Sequence, residues 1–287
     1  MCGIAGVMGE QASPALHPAV SRMAQRLRHR GPDGCGMWSA LSGGAVLAHT
    51  RLAVFDRSPS SAQPMSIDDG RLTITYNGAL YNLAELRDQL RLSGATFRTT
   101  SDTEVILRAY QRHGPACVDY FRGMFAVAIW DEHEHAGFLA RDPFGMKALY
   151  YAVRDGRLVF ASELRAVAAS GLVGAGLDAA AVQGYFCQGS VPEPRTLLED
   201  VKMLPAGATA GWKDGGLTVT TPRHAPWHGG AAGAADGAAA TARSALIDSV
   251  THHFAGDTGV GILLSGGADS AAILARAAGC GHAGVDT

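Results

Sequence analysis

The chain has 287 residues, 47% of them apolar and 17% charged, with a formal net charge of −2. That length suits one large or two ordinary domains. No basic run with interleaved aromatics points to nucleic acid, no apolar segment is long enough to cross a bilayer, and no charged n-region with an apolar h-region marks a signal peptide, so a cytoplasmic location is expected.

The five cysteines, Cys2, Cys35, Cys117, Cys187 and Cys280, are scattered and lack CxxC spacing, which argues against a disulfide framework or a structural zinc site. No HExxH-like pair appears, and no resident metal site is expected. His133 and His135 flank a hairpin turn and His252 and His253 lie in a polar helical stretch, so the histidines are expected to be mostly solvated.

Cys2 directly follows Met1. Removal of Met1 would place a thiol and a free α-amine on one residue, with ordinary pKa values near ~8.5 and ~7.7–8.0. Such a residue holds both a nucleophile and a proton acceptor. Residues 3–7 read as a short buried strand, which would fix Cys2 inside the fold. Residues 72–76 alternate as a strand. A helix follows, with Asn82 as cap, Glu85 three residues on, Leu83, Leu86 and Leu90 on one face, and Gly94 as the stop. A second helix has Ser101 as cap and Glu104 completing a capping box, with Val105, Ile106 and Ala109 on its apolar side. It ends at Gly114-Pro115. Residues 125–130 and 137–140 read as a hairpin, and 158–161 as another strand.

Residues 224–241 are dominated by Gly and Ala and read as a linker. Residues 242–254 look helical, 259–264 form an apolar strand, and Ser265-Gly266-Gly267-Ala268-Asp269-Ser270 leads into a helix over 271–278.

Seven short motifs occur in order: Cys2-Gly3-Ile4-Ala5-Gly6, Arg28-His29-Arg30-Gly31-Pro32-Asp33-Gly34, His49-Thr50-Arg51-Leu52-Ala53, Gln63-Pro64-Met65, Tyr76-Asn77-Gly78, Ser101-Asp102-Thr103-Glu104, and Arg141-Asp142-Pro143-Phe144-Gly145-Met146-Lys147. As a set they resemble the glutaminase domain of class II, N-terminal-nucleophile glutamine amidotransferases, and most of all the glutamine-dependent asparagine synthetases, over roughly the first two hundred residues. The resemblance implies an α+β fold, an αββα sandwich of two antiparallel sheets flanked by helices, where periodicity alone gives only mixed α and β. It implies that Cys2 attacks the glutamine carboxamide and that Asn77 and Gly78 form the oxyanion hole. Glutamine would be bound by Arg51, Leu52, Val54, Asn77, Gly78, Ala79 and Asp102, with Arg51 on the α-carboxylate and Asp102 on the α-amine. Asn-Gly is also the commonest two-residue hairpin turn, and the preceding strand suits either reading. Where the family carries glutamate after Asn-Gly, this chain has Ala79, so weakened glutamine binding is expected.

Leu264, Ser265, Gly266, Gly267, Asp269 and Ser270 resemble the pyrophosphate-binding loop of ATP pyrophosphatase (adenine-nucleotide α-hydrolase-like) domains. The resemblance implies ATP and Mg2+, with Asp269 helping to hold the metal, and an adenylated substrate. A Ser/Gly turn between strand and helix is the plainer reading of the same residues. Joined, the halves imply amidation of aspartate through aspartyl-AMP with ammonia from glutamine. Another acceptor carboxylate, or a decayed glutamine-binding fragment, stays open, as does a homo-oligomer. The expected organisation is a glutaminase domain over 2–222, a linker over 223–241 and, over 242–287, the truncated start of an incomplete α/β ATP-binding domain. Residues beyond about 241 are expected to pack poorly, because one strand and one helix cannot complete a sheet. The chain is then expected to hydrolyse glutamine without making asparagine by itself.

Overall fold

The computed structural model describes residues 1–9, 16–53, 58–222, 237–254 and 261–279. They divide into two compact units, the larger running to about residue 223.

The larger unit contains two six-stranded antiparallel sheets. The first, in the order β10-β8-β9-β1-β3-β2, is built from β1 (Gly3–Gly9), β2 (Gly34–Ser39), β3 (Ala45–Arg51), β8 (Tyr150–Arg154), β9 (Arg157–Ala161) and β10 (Lys202–Met203). The second, in the order β12-β11-β7-β6-β5-β4, uses β4 (Met65–Ile67), β5 (Leu72–Leu80), β6 (Gly123–Asp131), β7 (Ala136–Arg141), β11 (Thr209–Lys213) and β12 (Gly216–Thr220). Helices α1 (His17–Arg26) and α4 (Leu164–Ala169) cover one outer face. Helices α2 (Leu83–Leu92) and α3 (Asp102–His113) cover the other, and α5 (Ala179–Gln188) follows α4.

Strand alternation explains the layering, because successive side chains point to opposite faces. On β1, Ala5 and Val7 face α1 and α4, packing with Val20, Met23 and Val167, while Ile4 and Met8 face the second sheet. On β6, Phe125, Val127 and Ile129 meet α2 and α3, while Ala126, Ala128 and Trp130 face inward against Leu47, Phe160 and Trp212. The result is the expected αββα sandwich. Gly6 lies on the inner face of β1, where a Cβ would stand 2.6 Å from the Phe160 ring, so only glycine fits there.

The intersheet layer is apolar around Met8 and Trp212 and polar toward the other end of β1. There the Thr75 hydroxyl donates to the Ala48 carbonyl at 3.1 Å, and His49 Nε2 lies 3.2 Å from the Tyr76 carbonyl. His49 is 1% exposed, an exception to the expected solvation of the histidines, because β3 alternation turns it inward.

Several local expectations change. Asn77 and Gly78 are not a turn: they lie inside β5, opposite Ala126 and Phe125. Asn82 precedes α2 but does not cap it. Its carboxamide instead donates to the Tyr120 carbonyl and accepts the Arg122 N–H. Ser101 does cap α3, accepting the Thr103 N–H, whereas Glu104 reaches past the cap to the N–H groups of Arg98 and Thr99. Asn82 is thus spent on main-chain groups that only the tertiary fold brings near, and Glu104 on the loop just before its helix.

The second unit contains α6 (Ala238–His253) and α7 (Ala268–Gly279), which touch each other. Among its described residues only Val250 and Ala277 are buried. The strand expected over 259–264 falls partly outside the described residues. Of the remainder, Gly261 makes a bridge and 262–264 are not strand, with Leu263 95% exposed.

One consequence concerns acid stability. Burial pushes His49 down to about 4, whereas the unfolded chain takes up that proton near ~6.5. The contribution is therefore fully present above the unfolded value and lost as pH falls toward 4, by up to ~1.4 kcal/mol per pH unit. Urea titrations from about pH 7 down to about pH 5 should show this slope, and His49→Gln should flatten it. An unchanged slope in the variant would contradict the burial of His49.

Candidate active site

The pairing of Gly3 with Thr50 brings the start of β1 to the end of β3. There the Leu52 N–H donates to Cys2 Sγ at 3.4 Å, and the thiol donates to the Leu52 carbonyl at 3.5 Å. Burial pushes the Cys2 thiol up, opposed by the Leu52 N–H and the nearby amino terminus; Asp102 adds to the rise and Arg51 opposes it. The resting thiol therefore keeps its proton and needs a base.

The 28–34 segment clamps this corner. Arg30 Nε donates to the Cys2 carbonyl at 2.9 Å, and its guanidinium pairs with Glu163 at 3.2 Å. Asp33 accepts the Ala53 N–H at 2.8 Å. The amino terminus, on Met1, is pushed down first by burial, with Arg30 and Lys147 acting in the same direction.

Alternation carries the inner-face series Ile4 back to Cys2 on β1, Leu47 and His49 on to Arg51 on β3, and Thr75 on to Asn77 and Ala79 on β5. Asn77 is 2% exposed, and its buried Nδ2 has no hydrogen-bond partner. A buried donor without an acceptor is costly and suits an oxygen that arrives with a ligand. At Gly78 a Cβ would sit 2.2 Å from the Met124 carbonyl oxygen, so the position admits no side chain. Arg51 donates to the Ser58 carbonyl at 3.1 Å and to Ser61 Oγ at 2.8 Å, contacts that a bound carboxylate would have to share or replace.

Asp102 opens α3 and is buried. Its Oδ2 accepts the Tyr76 hydroxyl at 2.9 Å and the Leu80 N–H at 3.4 Å. Burial pushes this carboxyl up, and those hydrogen bonds oppose the rise. Gln63 braces the same strand, accepting the Tyr76 N–H at 2.6 Å and donating to Thr103 Oγ1 at 3.1 Å. Ala79 is 6% exposed. Of the sequence-derived residues, Leu52 holds the thiol through its backbone, and Val54 lies outside the described residues.

Among the contributors with no role assigned from sequence are Arg30, Tyr76 and Lys147. All stand in motifs that the sequence displays, but their partners are remote in the chain. Lys147, 145 positions after Cys2, places Nζ 3.4 Å from Met1 Sδ.

In the second unit, Ser265 and Ser270 hydroxyls lie 3.2 Å apart at the start of α7, and Ser270 donates to the Gly267 carbonyl. Gly266 has φ +81°, with nothing within 4 Å of an added Cβ. Open N–H groups at a helix start and a glycine-rich turn fit a phosphate group. Asp269 could supply a magnesium carboxylate, but among the described residues no cluster of three metal-ligating side chains occurs.

Residues 1–224 match the model of the glutamine amidotransferase domain. The chain belongs to that family. Beyond the amidotransferase domain, residues 241–287 match the asparagine synthase model. Glutamine-hydrolyzing asparagine synthetase 1 of Bacillus subtilis (strain 168) is 36% identical over 285 residues, covering 96% of this chain and 44% of that protein. A putative glutamine-hydrolyzing asparagine synthetase of Mycobacterium tuberculosis (strain H37Rv) is 37% identical over 299 residues, covering 96% and 46%. The chain thus spans about half the length of the curated relatives it matches. Among solved structures, the glutamine phosphoribosylpyrophosphate amidotransferase from B. subtilis complexed with ADP and GMP aligns with TM-score 0.56 at 22% identity. That alignment covers 77% of this chain and 49% of the other, a likeness of fold. No helix among the described residues is long and apolar enough to cross a membrane.

The raised thiol of this amidotransferase domain can be measured. Alkylation of Cys2 by iodoacetamide, followed on its own peptide, should reach half its maximal rate above the ~8.5 of a free cysteine. A midpoint below that value would contradict the burial assigned to Sγ.

Proposed function

We propose that Cys2, freed of Met1, hydrolyses glutamine to glutamate and ammonia. The unpartnered amide of Asn77, on the strand face shared with the thiol corner, is the observation that carries this reading. The α-amine takes the thiol proton, and Sγ attacks the carboxamide carbon. Negative charge collects on the carboxamide oxygen, where Asn77 Nδ2 and the Gly78 N–H receive it. The C–N bond then breaks, the nitrogen leaves as ammonia with the proton returned by the amine, and water hydrolyses the remaining thioester. Arg51 takes the substrate α-carboxylate in exchange for part of its hold on Ser58 and Ser61, and Asp102 takes the α-ammonium. Leu52, Val54 and Ala79 line the same site.

The ammonia feeds an ATP-dependent amidation of aspartate by the complete enzyme. The 241–287 match to the asparagine synthase model and the named relatives support this acceptor. Residues 264–270 would hold the phosphates of ATP, with Asp269 contributing to Mg2+; ATP supplies the activation of the carboxylate. The proposed organisation is a glutaminase domain over 2–222, a linker over 223–241 and the start of the ATP-binding domain over 242–287, acting in the cytoplasm.

Amino-terminal mass spectrometry should show loss of Met1, and the purified protein should release ammonia from glutamine, with Cys2→Ala inactive. Retained Met1 with no ammonia would favour a glutamine-binding fragment. Asn77→Ala should lower kcat by ~10²–10³ with less effect on KM; an equal rise in KM at constant kcat would assign Asn77 to binding alone. Ala79→Glu should lower KM for glutamine, since a charged hydrogen bond to the substrate amine is worth ~1.5–3 kcal/mol. An unchanged KM would place Ala79 away from the substrate.

A further inference from the structure

Lys147 ends the 141–147 motif and is 6% exposed. Its main chain is pinned at both ends: the N–H donates to Asp142 Oδ2 at 3.0 Å, and the carbonyl accepts Arg141 Nε at 3.0 Å. Its Nζ reaches Met1 Sδ, and among the described residues no carboxylate stands within ion-pair distance of it. A buried ammonium without a paired carboxylate is costly to keep, and a thioether is a weak acceptor. Removal of Met1 takes away even that contact, at the point where the new amino terminus begins.

We propose that Lys147 is a positioning residue whose ammonium faces the α-amine of mature Cys2 and holds it in the uncharged form that accepts the thiol proton. This rests on the reading of Cys2 as the nucleophile. The step balances within the residue: the S–H bond breaks, an N–H bond forms, and thiolate and α-ammonium result. A neighbouring cation disfavours proton uptake by the resting amine and favours the thiolate.

The other charges around the corner are committed elsewhere. Arg30 acts in the same direction but is paired with Glu163. Asp33 opposes but accepts the Ala53 N–H. Asp142 faces Lys147 while accepting the N–H groups of Phe125, Phe144 and Met146. Arg51 and Asp102 act on the thiol from the other side. Burial lowers Lys147 itself, aided by Arg30, while Asp142 and Cys2 favour its charged form.

The test uses the mature protein and the variants Lys147→Met, Lys147→Gln and Lys147→Arg, each checked for an intact thermal transition. The amino-terminal amine is titrated by pulse acetylation with acetic anhydride, read by mass spectrometry of the terminal peptide. The acid limb of kcat/KM for glutamine is measured in parallel. Lys147→Met and Lys147→Gln should both raise the labelling midpoint and the acid limb by roughly one to two pH units, and Lys147→Arg should stay near the parent. A midpoint unmoved in both neutral variants overturns the role of Lys147. Labelling reads the amine whether or not glutamine turns over. A moved midpoint in protein that releases no ammonia would thus support the electrostatic role while refuting the glutaminase reading.

Discussion

The antiparallel pairing of β1 with β3 sets where the reactive groups stand. Gly3 opposes Thr50, so the residue before one strand meets the residues that close the other, and Cys2 Sγ settles between the N–H and carbonyl of Leu52. A backbone cradle of this kind leaves little rotamer freedom to the sulfur. The polar end of the intersheet layer, with His49, Thr75 and Asn77, is where the sandwich stops being an apolar core.

Burial sets the protonation states at that end. It raises the Cys2 thiol, the Asp102 carboxyl and the Tyr76 hydroxyl, and it lowers the amino terminus and Lys147. Each group is pushed toward its neutral form, which keeps a crowded corner from accumulating uncompensated charge. The same shifts leave a Cys2 thiol that holds its proton near a Met1 amino group inclined to be without one.

The second unit follows a different logic. Its glycine-rich turn and the start of α7 can form from local sequence, since a helix start needs no partner to expose its N–H groups. The apolar run before it needs neighbours to become a strand, and among the described residues Leu263 stands exposed. Local rules therefore suffice for the glycine-rich turn and the helix start, whatever becomes of the run before them.

Order and type of several elements were legible in the chain, while β2, β3, β4, β8, β10, β11, β12, α1, α4 and α5 were not read from it. The alternating and fully apolar runs became β1, β5, β6, β7 and β9, and Ser101 caps its helix as its position suggests. A candidate set could be named from the chain as well, because Cys2, Arg51, Asn77, Gly78 and Asp102 stand in short motifs. What local pattern could not show is which partner a polar side chain chooses: Asn82 left its helix start for the main chain of Tyr120 and Arg122, and Glu104 turned back to the loop N–H groups of Arg98 and Thr99. Nor could it decide between a turn and a strand for Asn77-Gly78, since only pairing with Ala126 and Phe125 does so. The sequence by itself determined the chemical inventory and the strand faces, because alternation and capping act over a few residues. The tertiary structure alone decided that Arg30 and Lys147 meet the amino terminus, that His49 is buried, and that one amide of Asn77 is left waiting. Those facts depend on strands far apart in the chain lying side by side.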